Sequence, residues 1–251
     1  MKVCDIDRNL MYSVLQHGYR ALQVQPYVVE LGVCKGGNAQ QLLQRLDPAQ
    51  LVLVDSWSTA SNREYCPFDP PPSWIDPPEA YDFYFGSPTW EQATWDRLQD
   101  VCQQRFAAEP RVSIVRSPTA DALSAVRQLN QGAPYNLIYV DASHQYEDVL
   151  RDLMLYQELV GANGAFMLND CCLSDAGLRQ NLGVLEAGET SSSAEISRPW
   201  PSPTPIGQIS SSRAKAACWS RCCTGAWSRL SIFPLSCCPP PVWCAATSAP
   251  T

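Results

Sequence analysis

Positive charge is scarce in this sequence: 18 Lys and Arg stand against 25 Asp and Glu, with only two histidines. A net charge of −7 argues against a protein that binds by displacing counterions from a phosphate backbone, because that requires clustered Lys and Arg. No run of about 18 apolar residues is available to span a bilayer. Residues 1–10, with Asp5, Asp7 and Arg8 among them, lack the apolar centre of a secretory signal. Nucleic acid and membrane are therefore not the expected partners. A small molecule met in the cytoplasm is, and a homo-oligomer is compatible with the same surface.

Other scarcities are regional. Residues 188–251 contain no Asp, Asn, Tyr or His, yet hold nine Pro, thirteen Ser, six of the twelve Cys and four of the eight Trp. Residues 1–187 carry 23 of the 25 acidic residues. The change falls near Ala187-Gly188 and divides the chain into a patterned domain (1–187) and an aberrant Pro/Ser/Cys-rich tail (188–251). A zinc module is a poor reading of the tail, since Cys222-Cys223 and Cys237-Cys238 are adjacent pairs that chelate one ion badly. Back-translated with suitable synonymous codons and read two bases later, Ile196 to Ala214 can give an ordinary strand, turn and helix start. The tail is thus expected to be an out-of-frame translation in place of the native C-terminus.

Periodicity fills the first 187 residues. Leu10, Met11, Val14, Leu15, Tyr19 and Leu22 recur at helical spacing over residues 7–25. A strand follows at Tyr27–Leu31, then a helix from Ala39 to Leu46 that ends at Asp47-Pro48. Further strands are expected at Leu51–Val54, Val112–Val115, Leu137–Val140 and Ala165–Leu168, with helices at Glu91–Phe106, Asp121–Leu129 and Val149–Leu159 between them. This alternation predicts an α/β fold, a doubly wound and mostly parallel sheet covered on both faces. Residues 56–90, rich in proline and aromatics and without a period, read as a lid or substrate-facing insertion, or else as a disordered excursion. Trp57, Trp74, Tyr81 and Phe83 in it could close over a substrate or simply pack.

In such sheets a ligand lies beyond the carboxyl ends of the strands. Standing there are Glu30 to Gly37, Asp55, Ser117, Asp141 to His144, and Asn169-Asp170. Gly32, Gly36 and Gly37 allow a tight turn and close backbone approach, and the following helix offers free N–H groups to an anion. Asp55 lies 23 residues beyond Gly32, an interval at which a carboxylate accepts hydrogen bonds from a ribose. A nucleoside-bearing cofactor is implied. The spacing is not G-x-G-x-x-G, which weakens a nicotinamide-dependent oxidoreductase as the alternative. An inactive cofactor-binding fragment is the other alternative. Asp141, Asn169 and Asp170 offer hard oxygens that suit Mg²⁺, or else cap a loop and form a turn. His144 could take a proton from a substrate hydroxyl near neutrality, or hold its loop. His17, on the helix before the sheet, reads as structural, and Glu147 as a helix-start cap.

The segments VVELGVCKGGNAQQLL, LVLVDSW, IYVDASHQYEDVLRDLMLYQEL and the Gly164–Asp170 strand resemble the class I S-adenosylmethionine-dependent methyltransferases. The likeness is nearest to bacterial small-molecule O-methyltransferases with a D-x-x-H-x-Y-E segment after the fourth strand, and it covers about residues 25–185. It implies that Glu30, Gly32, Gly36 and Gly37 hold the methionine part of S-adenosylmethionine, that Asp55 holds the ribose and that Ser117 lies near the adenine. It further implies methyl transfer to a hydroxyl of a small metabolite; beside it, the chemistry of the strand ends makes His144 and Asp141 the catalytic candidates and Asp141, Asn169 and Asp170 the candidate ligands of Mg²⁺. The family's sixth and seventh strands are missing here or replaced by the tail.

Overall fold

The computed structural model describes residues 8–60, 72–171, 177, 179–180, 182–196 and 232–234. Strands β1 (Tyr27–Leu31), β2 (Gln50–Asp55), β3 (Val112–Arg116), β4 (Tyr135–Val140), β5 (Val160–Leu168) and β6 (Ile232–Pro234) form one sheet in the order β3-β2-β1-β4-β5-β6. Every adjacent pair is parallel. The direction of winding reverses between β1 and β4, which places a crevice beyond their carboxyl ends. The chain is thus the doubly wound α/β fold that the alternation predicts.

The strands are nearly continuous apolar runs because both faces are buried, and successive residues point to opposite faces. Val28, Leu51, Leu53, Leu137, Tyr139 and Met167 face one layer, with α1 (Arg8–Ala21), α2 (Gly37–Leu46) and, across the insertion, α4 (Gln92–Phe106). Val29, Val52, Val54, Ile138, Val140 and Phe166 face the other, where α5 (Thr119–Leu129), α6 (Tyr146–Tyr156) and α7 (Val184–Ile196) pack. Leu53 is completely buried, and truncating such a side chain to Ala costs about 2–5 kcal/mol.

The strand expectations hold, with β4 and β5 starting earlier than the apolar pattern shows. In α1 the buried face is Met11, Tyr12, Leu15, Gly18 and Tyr19, while Leu10 stands 55% exposed. Tyr12 takes a core position because, at 3.6 residues per turn, it shares a face with Leu15 and Tyr19. In the insertion, described apart from residues 61–71, a 3₁₀ turn at Pro78–Tyr81 leads into α3 (Asp82–Phe85). Asp82 accepts hydrogen bonds from the Thr89 N–H and hydroxyl, and Phe85 packs against Trp95 at 5.3 Å between ring centres. Helix α7 runs through the compositional break at 187–188. Three residues of the tail, β6, lie beside β5 in the register Phe166↔Ile232 to Leu168↔Pro234. The remainder of the tail lies outside the described residues, and no described helix is long and apolar enough to cross a membrane.

Candidate active site

The turn after β1 is shaped by glycine where nothing else fits. Gly32 has φ 86°, and a Cβ there would stand 2.0 Å from the Asp141 carbonyl oxygen, so the β1 and β4 ends touch through bare backbone. Gly36 has φ 74° and begins α2 with no side-chain cap. A Cβ on Gly37 would meet nothing within 4 Å among the described residues. Open space therefore lies against an uncapped helix N-terminus, where N–H groups attract an anionic group.

Asp55, at the end of β2, holds this turn together. Its Oδ2 accepts from the Val33 and Cys34 N–H groups at 2.8 and 2.9 Å, and its Oδ1 from the Trp57 N–H at 2.9 Å. A carboxylate has about four acceptor directions, so main-chain donors take most of them and about one remains for a ribose. The sequence gives no sign of this, since the donors are backbone groups. Ser117 stands next door, its N–H donating to the Asp55 carbonyl at 2.9 Å. Trp57 is fully buried, with its indole N–H on the Cys34 carbonyl at 2.9 Å. It is a pillar under the turn rather than a residue that closes over substrate. Trp74 and Phe83 are exposed, while the Tyr81 hydroxyl donates to Asp76. Cys34 offers no nucleophile, because burial, with the Asp55 charge adding to it, pushes its thiol up to about 11.

Glu30 is completely buried. Its Oε1 accepts from Asn38 Nδ2 at 3.1 Å, and its Oε2 has no hydrogen-bond partner among the described residues. Burial pushes this carboxyl well above the usual range, against the pull of the Asn38 hydrogen bond. An orphaned buried carboxylate oxygen costs stability unless a donor arrives. A ligand ammonium beside the glycine turn would be such a donor, so the residues present fit the amino-acid end of the sulfonium cofactor.

Across the crevice, Asp141, His144 and Asp170 present ligand atoms all within 4.8 Å of one another. His144 Nε2 lies 3.2 Å from Asp141 Oδ1 and 3.4 Å from Asp170 Oδ2. Burial opposes charge on the ring, but the Asp141 hydrogen bond and the Asp170 field outweigh it and lift His144 above the ordinary histidine range. Asp170, itself at φ 52°, is pushed up by burial and pulled back by His144. The sequence grouped Asn169 with the two aspartates. In the structure its Oδ1 accepts from Arg8 at 2.8 Å and from the Tyr139 hydroxyl at 2.9 Å, while its Nδ2 donates to Asp141 at 2.7 Å. Its oxygen faces away from the carboxylates, and His144 takes the third place. Two carboxylates remain that suit Mg²⁺, which keeps several of its waters.

Arg8, Tyr12, Asn38 and Tyr139 were not singled out by sequence. The Tyr12 hydroxyl also donates to Asn38 Oδ1, and the Arg8 guanidinium stands 5.9 Å above the Tyr139 ring. The one local signal was Asn38, placed directly after Gly36-Gly37 at a helix start.

The family model for a methyltransferase domain matches residues 29–171, from β1 through the end of β5. Among solved structures, the calicheamicin methyltransferase CalS11 is 16% identical, over 79% of this chain and 78% of that one, with a TM-score of 0.47. The mycinamycin-pathway methyltransferase MycE, solved with Mg and SAH, is 15% identical over 64% of this chain, with a TM-score of 0.38. This chain spans about a third of the MycE length, the match covering 32% of it. Spermidine synthase from Thermotoga maritima is 13% identical, over 64% and 43% of the two chains, with a TM-score of 0.34. No curated protein matches the chain in sequence. With the matched segment spanning more than half of the 251 residues and containing the glycine turn, Asp55, Asp141 and His144, the chain belongs to the methyltransferase-domain family.

Proposed function

We propose that this protein transfers a methyl group from S-adenosylmethionine to a hydroxyl of a small metabolite. The observation that carries the reading is the imidazole of His144 held between Asp141 and Asp170, across the crevice from a glycine turn with the orphaned Glu30 oxygen beneath it. The sulfonium supplies an electrophilic methyl with a neutral thioether as its leaving group. Glu30 accepts from the ammonium of the methionine end. The turn from Gly32 to Gly37 lets the backbone lie close along it, and the start of α2 faces its carboxylate. Asp55 keeps the turn in shape and has one acceptor direction to offer the ribose. Ser117 borders the adenine end.

His144 would take the proton from the acceptor hydroxyl, leaving that oxygen nucleophilic. The Asp141 and Asp170 carboxylates, 3.2 and 3.4 Å from Nε2, stabilise the resulting imidazolium. Asp141 orients the ring through Nε2. Aligning oxygen and methyl carbon in the crevice supplies much of the remaining acceleration. Asp141 and Asp170 are the residues that would hold Mg²⁺, and the ion would lower the pKa of an acceptor hydroxyl when bound.

Calorimetric titration with S-adenosylhomocysteine tests the reading, followed by transfer of a labelled methyl group to a panel of hydroxylated metabolites. Micromolar binding with label on an oxygen supports it. A folded chain that binds no S-adenosylhomocysteine overturns it. We further propose that residues from about 188 onward are read out of frame; the DNA around codon 187 decides this, and an intact frame refutes it.

A further inference from the structure

Two asparagines flank the crevice, and each faces one carboxylate of the site. Asn38 Nδ2 lies 3.1 Å from Glu30 Oε1, and Asn169 Nδ2 lies 2.7 Å from Asp141 Oδ1. The two ends of an amide have nearly the same shape and opposite hydrogen-bonding character. A flipped amide would set its oxygen against the Asp141 carboxylate, or against Glu30 once that group is ionised by a bound ammonium, replacing attraction by repulsion. The tyrosine hydroxyls beside them cannot prevent this, since a hydroxyl both donates and accepts. A guanidinium can, because it only donates. Arg8 reaches both amide oxygens, one nitrogen standing 3.0 Å from Asn38 Oδ1 and another 2.8 Å from Asn169 Oδ1. It comes from the first turn of α1, which Met11 and Leu15 anchor in the core, and its partners lie 30 and 161 residues away in sequence.

We infer that Arg8 is a positioning residue that locks Asn38 and Asn169 with their NH₂ groups toward Glu30 and Asp141. The cofactor's amino-acid end and the His144 base then depend on one cation outside both. This inference rests on the methyltransfer reading above. Arg8 touches no reacting atom; it acts through the two amides, so it governs the chemistry by fixing where acceptors point. Breaking it should disturb both halves of the crevice at once, which neither Asn38 nor Asn169 alone can do.

The test compares the full chain with Arg8→Met and Arg8→Lys in two assays. One is calorimetric titration with S-adenosylhomocysteine. The other is NMR of the aromatic rings at fixed pH, where buried Tyr19, its hydroxyl on the Asn136 carbonyl, reports whether α1 remains docked and His144 reports the site. Arg8→Met is expected to weaken binding about tenfold, the loss of roughly one net hydrogen bond, and to move the His144 ring signals while those of Tyr19 stay in place. Arg8→Lys keeps donors without acceptors and is expected to recover affinity to within about threefold. Wild-type affinity together with unmoved His144 signals in Arg8→Met would overturn the inference. If the wild-type chain itself does not bind S-adenosylhomocysteine, the proposed function fails, and the His144 signals still decide the role of Arg8. Should Arg8→Met not fold, Arg8→Gln decides: its amide is too short to reach both oxygens, and wild-type behaviour in it would overturn the inference equally.

Discussion

Replacing Glu30 by Gln is expected to change stability and cofactor affinity in opposite directions. Glu30 is fully buried, with one oxygen on Asn38 and the other unpartnered, and burial holds its carboxyl well above the usual range. In the unfolded chain a glutamate titrates near ~4.3. The folded state therefore binds more protons than the unfolded state between that value and the raised folded one. The stability this group contributes is complete below pH ~4 and is lost as pH rises through the folded pKa. A glutamine side chain at this position would carry no charge to bury. Its oxygen can still accept from Asn38, and an unpaired amide costs less than an unpaired carboxylate. The urea midpoint of Glu30→Gln should thus fall less than that of wild type as pH rises across this window, and be no lower than wild type at pH 8. Affinity should fall instead: a hydrogen bond to a charged group is worth about 1.5–3 kcal/mol, or roughly ten- to hundredfold in the dissociation constant for S-adenosylhomocysteine. A variant that binds as tightly as wild type, or that is less stable at pH 8, refutes this account of Glu30.

Gly32→Ala would force a Cβ to within 2.0 Å of the Asp141 carbonyl at φ 86°; denaturation should show a loss of about 3 kcal/mol or more, and a stable variant would contradict the close contact. Asp152, buried on α6 with its Oδ1 on the Thr119 hydroxyl at 2.8 Å, is pushed by burial up to about 6. Its stabilising contribution falls as pH rises from the ordinary aspartate value to about 6, a change of about 3 kcal/mol at 1.36 per unit. Asp152→Asn should accordingly raise the urea midpoint at pH 7 and leave it unchanged at pH 4, and a lower midpoint at pH 7 would refute this. His144→Ala should cut labelled-methyl turnover by about a hundredfold or more while changing S-adenosylhomocysteine affinity by less than about threefold; unchanged turnover would remove His144 as the base.

The strands were legible because burial on both faces makes each one a short apolar run closed by a polar residue, as in Leu51–Val54 before Asp55. Asp141, His144 and Asp170 were legible as residues because the fold puts ligands at that edge. Their grouping was not. Which way Asn169 turns depends on Arg8, 161 residues earlier, and no local pattern encodes a hydrogen bond of that range. Asp55 carries the same lesson, since the three N–H groups it holds are ones that every residue type but proline carries. The turn at Asp82–Phe85 escaped notice because four residues are too few for a helical period, and α7 because its Ser191-Ser192-Ser193 run has the composition of the tail.

A crystal structure of the full chain with S-adenosylhomocysteine tests the central claim most directly. The account predicts the ligand across the β1–β4 crevice, its amino-acid end against the Gly32–Gly37 turn and its ammonium within ~3 Å of Glu30 Oε2. Density elsewhere, or a Glu30 oxygen still without a partner at saturating ligand, would contradict it.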